Sequence, residues 1–117
     1  MNIDLRSIDP LRDLSQQSIQ AIEEESQIIN FPIGFPILRE NVIPNEVLII
    51  LSGEARLIHE QGNQSSTICK LKADDFIGLS SFLRVKGCEY ITASTEVMVM
   101  SISDKLILKL YIITNLA

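Results

Sequence analysis

The residues that could do chemistry concentrate in one stretch, Asp74-Asp75-Phe76-Ile77-Gly78-Leu79-Ser80-Ser81-Phe82-Leu83, with Gly87-Cys88-Glu89-Tyr90-Ile91-Thr92-Ala93 shortly after it. Phe76 and Ile77 read as a strand that breaks at Gly78, and Leu79 to Leu83 are enough for one helical turn. Glycine at the break admits backbone conformations and close approaches that a larger residue would block. The first N–H groups of a short helix have no partner inside it, so they can point at a bound anion. In outline this is a phosphate cradle. A surface loop with one glycine would read the same way, so the rest of the chain has to decide between the two.

The elements that must position this stretch belong to a single domain. The chain has 117 residues, 46% hydrophobic and 21% charged, which suits one globular domain with a core of its own. No apolar run reaches the roughly 18 residues of a membrane span, and Met1 to Arg6 has no secretory pattern, so a cytoplasmic location is expected, with no membrane insertion by this segment. The net charge is −5, without the basic footprint that nucleic-acid binding uses; nucleic acid is therefore not an expected partner. Cys69 and Cys88 are read as small buried thiols. Catalysis finds little support. The chain has one histidine, His59, read as a strand-face or surface residue. The two or three histidines of a sandwich-type metal site are missing, and neither cysteine has an evident histidine partner. The chain is read as no enzyme, with no metal.

Taken in order, Asp9-Pro10 predicts a helix start, with Leu11, Leu14, Ile19 and Ile22 on one face and an end near Glu24. Ser26 to Phe31 reads as a strand, Pro32 to Pro36 as a turn, and Ile37 to Arg39 as a short strand. Val47 to Leu51 is an unbroken apolar run, the pattern of a strand buried on both faces. Ser52-Gly53 bends the chain, Glu54 to Glu60 alternates, and Gln61 to Ser65 is a hairpin loop leading to a strand at Thr67 to Leu71. Tyr90 to Ser94 and Glu96 to Ile102 are the last strands, and Ser103 caps a helix over residues 104–113. The expected core is Val47, Ile49, Leu51, Leu57, Ile68, Leu71, Phe76, Ile91, Val97, Val99 and Ile102. Many short strands with turns between them indicate an antiparallel sandwich or barrel.

Two segments sharpen this. Asp74 to Leu83, followed ten residues later by the strand-opening Ala93, resembles the phosphate-binding cassette of cyclic-nucleotide-binding domains. Phe35 to Leu57 resembles the front half of the same family, most closely over Pro44 to Leu57 with its strand–Ser-Gly-Glu–strand pattern. The similarity covers roughly residues 12 to 112. It implies a mainly β fold, the eight-stranded double jelly-roll sandwich of the catabolite-activator type, with short helices at both ends.

The resemblance also implies a ligand, cAMP or cGMP, and a set of contacts. Backbone N–H groups after the cassette glycine hold the phosphate, and a Glu directly after that glycine accepts the ribose 2′-hydroxyl. An Arg opening the next segment pairs with the phosphate, helped by a small hydroxyl residue beside it. Mapped onto this chain, Ile77, Gly78, Leu79, Ser80, Ser81, Gly87 and Cys88 are the candidate site. Gly78 keeps the glycine, and Ser80 and Ser81 keep the small polar turn. Leu79 stands where the Glu would be, Gly87 at the Arg position and Cys88 at the hydroxyl position. Glu89 adds negative charge beside them. Arg84 or Lys86 would have to supply the missing cation.

The expectation is a non-catalytic regulatory domain, residues 1–117, that binds neither cAMP nor cGMP in the usual way and has no cofactor. It is read as the N-terminal part of a longer bacterial protein with domains attached downstream. Peptide- or toxin-secreting ABC transporters are one setting, and histidine-kinase-like sensors and channel-like proteins are others. The alternatives are a true cyclic-nucleotide or small-anion sensor with a non-standard pocket, and a protein-interaction scaffold. Leu106, Ile107, Leu110 and Ile113 are expected to leave an apolar helix face uncovered and to drive a homodimer.

Overall fold

The computed structural model describes residues 4–84, 87 and 89–116. Eight strands form two four-stranded antiparallel sheets. The strands are β1 (Gln27–Phe31), β2 (Pro36–Leu38), β3 (Glu46–Ser52), β4 (Ala55–Gln61), β5 (Gln64–Leu71), β6 (Phe76–Ile77), β7 (Ile91–Ala93) and β8 (Val97–Ser103). The first sheet has the order β1-β8-β3-β6 and the second β2-β7-β4-β5. The fold is mainly β, the jelly-roll sandwich expected, with helices α1 (Gln16–Glu25), α2 (Leu79–Arg84) and α3 (Asp104–Leu116).

The first sheet is covered on both sides, which explains the unbroken apolar run of β3. Leu48, Ile50, Val97 and Val99 point between the sheets, together with Ala55, Ile77, Ile91 and Ala93. Val47, Ile49, Met100 and Ile102 point the other way, onto Ile19 and Ile22 of α1 and Leu106 and Ile107 of α3. The second sheet has one well-packed face, and β4 begins with Ala55 buried and Arg56 exposed before its burial fades towards the exposed residues 59–61.

The N-terminal segment differs from the expectation. Asp9-Pro10 opens only a three-residue 3-10 turn, after an earlier one at Leu5–Ser7. Side chains three apart eclipse one another in a 3-10 turn, and Leu5, Ile8 and Leu11, at that spacing, are all buried. The long helix starts afresh at Ser15, whose side chain accepts a hydrogen bond from the Ser18 N–H. At the other end, the Ser103 hydroxyl does accept the Leu106 N–H at 3.2 Å, and α3 runs on to Leu116.

Two core expectations fail on one strand. β5 is the outer strand of the second sheet, and every residue from Gln64 to Lys70 is exposed. Leu57 pairs with Cys69 and Ile58 with Thr67, so Ile68 is the extra residue of a β-bulge, which upsets the alternation on which its placement rested. Ile68 is 60% exposed. Cys69 is a free, exposed thiol rather than a buried one; Cys88 lies outside the described residues. Leu51, Leu57, Leu71 and Phe76 are partly buried against the two clusters. His59 is exposed.

The apolar face expected to drive association is also placed differently. Leu106 and Ile107 are buried in their own domain, and Leu110 packs against the same cluster. Leu108 is the large apolar side chain that this helix leaves exposed, among the side chains described. The Ile113 side chain lies outside the described residues.

Ile49 has no exposed surface, so Ile49→Ala should cost about 2–5 kcal/mol of stability. Ile68→Ala should cost less than about 0.5 kcal/mol. Denaturant midpoints of the two variants check this pair, and equal losses would contradict the placement of β5.

Candidate functional site

The candidate site starts where β6 leaves the first sheet. Ile77 pairs with Leu48 of β3 and is buried, which anchors the last residue before the break. Gly78 follows with φ +87°, a left-handed conformation that side-chain-bearing residues adopt at a cost. Space is less critical there. A Cβ on Gly78 would meet Pro44 Cγ at 3.4 Å and Leu38 Cδ2 at 3.6 Å, ordinary contact distances. The backbone turn then closes into α2, with the Phe82 N–H donating to the Gly78 carbonyl at 2.9 Å.

The side chains of this short helix divide by environment. Leu79 packs against the apolar cluster beneath the helices, so the position after the glycine is used for packing and offers no acceptor. Ser80 is exposed, whereas Ser81 is fully buried. The Ser81 N–H and hydroxyl both donate to Glu89 Oε1, at 3.0 and 2.8 Å. Hydrogen bonds to an ionised acceptor are the stronger kind. Glu89, a source of unfavourable charge in the sequence reading, is thus a structural partner of the turn. An acidic residue a few positions beyond two adjacent serines was the available signal.

Gly87 is held still more tightly. A Cβ on it would collide with the Val42 N and lie 2.7 Å from both the Asn41 carbonyl carbon and the Glu40 carbonyl oxygen. Those are backbone atoms of the β2–β3 connection and cannot swing aside as a flexible side chain would. At this position the structure accepts glycine and nothing larger without moving that connection.

The structure therefore brings Gly78, Ser81 and Glu89 together and sets Gly87 against residues 40–42. Cys88, Lys86 and the Arg84 side chain lie outside the described residues. Across the second sheet, the Thr92 and Ser94 hydroxyls are buried without a hydrogen-bond partner among the described residues.

Beside the cassette runs an apolar groove of about 600 Å³, walled by Ile43, Pro44, Phe82, Leu83 and Leu108. A separate polar cleft is lined by Glu25, Glu46, Asp104 and Lys105, where the Ser101 hydroxyl donates to the Glu46 carboxylate. Among the described residues, no group of three His, Cys, Asp or Glu is placed to hold a metal ion. No helix among them is long and apolar enough to cross a membrane.

The sequence profile of the cyclic nucleotide-binding domain matches residues 28–112. A search of curated proteins found no match. Among solved structures, the chain is similar to the regulatory subunit of a cAMP-independent protein kinase A from Trypanosoma brucei. The TM-score is 0.78 at 19% identity, covering 86% of this chain and 38% of that one. A triple mutant of the same subunit, in which one substitution replaces a threonine by an arginine, is described as bound to cAMP in the A site. It matches equally well, with TM-score 0.78, 19% identity and the same 86% and 38% coverage. The Thermus thermophilus catabolite activator protein gives TM-score 0.72 at 20% identity, over 86% of this chain and 48% of its own. At such identities the likeness shows the fold. The chain spans less than half the length of these relatives.

Gly87→Ala should cost about 1–3 kcal/mol through forced backbone displacement, and Gly78→Ala about 1 kcal/mol through its left-handed φ alone. Thermal unfolding of the two variants orders them, and a Gly87→Ala variant as stable as the parent would show that the 40–42 connection yields freely.

Proposed function

The chain belongs to the cyclic nucleotide-binding domain family, and from that premise we propose that it is a regulatory, non-catalytic domain that works without cAMP or cGMP bound in the usual way. The carrying observation is the seat of Gly87. The family resemblance puts the phosphate-pairing Arg at this position, and here the backbone of residues 40–42 leaves no room even for a Cβ. Leu79, at the position of the ribose acceptor, is committed to the core cluster. A cyclic nucleotide would thus meet neither a countercharge for its phosphate nor an acceptor for its ribose hydroxyl.

Magnitudes support this reading. Losing one partner of a buried charge pair costs about 2–5 kcal/mol, and a hydroxyl desolvated without a hydrogen bond adds about 1–3 kcal/mol. The low ends together, about 3 kcal/mol, weaken binding by more than about a hundredfold. The trypanosome subunit described as cAMP-independent has the same sandwich, and the cAMP-bound form of it carries an introduced arginine. Both facts support the reading.

The domain acts, on this proposal, as one module of a larger bacterial protein on the cytoplasmic side of the membrane, an ABC-type exporter being the favoured setting. The relatives carry the same sandwich as 38% and 48% of their own chains, which supports a modular role. Its output passes to covalently attached domains.

Thermal unfolding with cAMP or cGMP at millimolar concentration tests the proposal. A ligand at a hundred times its dissociation constant would add about 2.7 kcal/mol, a shift of several degrees for a domain of this size. The expected result is no shift. One of several degrees that saturates at micromolar nucleotide would overturn the reading and make Arg84 and Lys86 the next residues to substitute.

A further inference from the structure

We propose that Glu89 is the domain's own anion: its carboxylate holds α2 in position, and so sets one wall of the apolar groove, with no ligand bound. This deepens the regulatory reading above and rests on it.

A helix of six residues cannot hold itself, because short helices make too few internal hydrogen bonds to offset their ordering. Its placement depends on tertiary contacts, and Glu89 makes a polar contact at its centre. One carboxylate oxygen takes both the N–H and the hydroxyl of Ser81, at 3.0 and 2.8 Å, and Ser81 is fully buried. Glu89 is itself half-buried, and a partly desolvated carboxylate needs compensation. The one ion pair among the described residues, Arg12 with Asp9, lies in the N-terminal turns. Among those residues, the compensation for Glu89 comes from Ser81.

The same short stretch grips the opposite wall. Gly87, two residues before Glu89, sits in backbone contact with residues 40–42, which lead directly into Ile43 and Pro44. Phe82 and Leu83 follow Ser81 directly. Ile43 and Pro44 line the groove together with Phe82 and Leu83 of α2 and Leu108 of α3. Gly87 and Glu89 together strap one wall to the other. Ile43, Leu83 and Leu108 are each about half exposed, at 51, 48 and 49%, so displacing α2 changes how much apolar surface the groove presents. Releasing Glu89 from Ser81 is the event that would free the wall.

Amide hydrogen exchange, without nucleotide, tests this. In Glu89→Ala, exchange at residues 79–83 should quicken by about a hundredfold, the size of the two charge-assisted hydrogen bonds lost, while β8 keeps its protection. Acetate at about 0.1 M, which can refill the carboxylate site, should restore part of the protection by binding the folded form. Chloride at equal ionic strength should not. Unchanged protection at 79–83, or a loss that acetate and chloride leave alike, would overturn the proposal. If Glu89→Ala also loses protection in β8, Ser81→Ala takes its place. It should quicken exchange at 79–83 with β8 intact, and no change there would equally overturn the proposal. Nucleotide binding by the parent chain would refute the reading above, yet leave the Glu89 result to stand or fall alone.

Discussion

Strands β3 and β8 are wrapped on both faces, and most other placements follow from that burial. Buried backbone groups in such a pair need partners, which the neighbouring strands supply together with Asp74 and Asp75, bonded to the Ile50 carbonyl and N–H. The register runs from Glu46 with Ser103 to Ser52 with Met98, with one irregularity near Ser52. One face packs on the second sheet, so β2, β7 and β4 must bring Leu38, Ile91, Ala55 and Ala93 to it. The other face packs on helices, so the N-terminal turns, α1 and α3 must fold back over Val47, Ile49, Met100 and Ile102. β6, paired with β3 at Leu48 and Ile49, carries the cassette out from this rigid pair. The site is thus fixed at its start by a strand buried on both faces.

Beyond Ile77, tight packing gives way to a few specific contacts. Gly87 against residues 40–42 and Glu89 on Ser81 hold the returning segment at two points. The first is steric and leaves no room for a side chain. The second is polar, with a carboxylate from the chain itself as the acceptor. On the function proposed above, the domain thereby supplies an anion contact from its own sequence. That is the physical sense in which a cyclic nucleotide-binding fold can act without the nucleotide.

Much of the fold is legible in the sequence because its signals are local. The run Val47 to Leu51 announces a doubly buried strand, and Ser103 a helix cap. The hairpin is visible at Gly62 and Asn63, although its loop tightens to those two residues, since Gln61 pairs with Gln64. The Ile68 bulge was hidden, because one inserted residue changes facing without changing composition. The N-terminal 3-10 turns were hidden as well. Leu5, Ile8 and Leu11 repeat at three, a spacing that a search for helical faces passes over. In the site, Gly78 can be read from the letters, as can Leu79 and Gly87 at the positions that the resemblance assigns to Glu and Arg. The close approach at Gly87 and the partnership of Ser81 with Glu89 cannot, because both join residues brought together only by the β2–β3 connection and the turn into β7.

The central claim is that this cassette is occupied from within and does not take a cyclic nucleotide. The backbone N–H of Ser81, bonded to Glu89, reports on it directly. In a ¹H–¹⁵N correlation spectrum recorded during titration with cAMP to millimolar concentration, the account predicts that the Leu79, Ser80 and Ser81 resonances stay where they are. A saturating shift confined to those three amides, with a midpoint in the micromolar range, would contradict it.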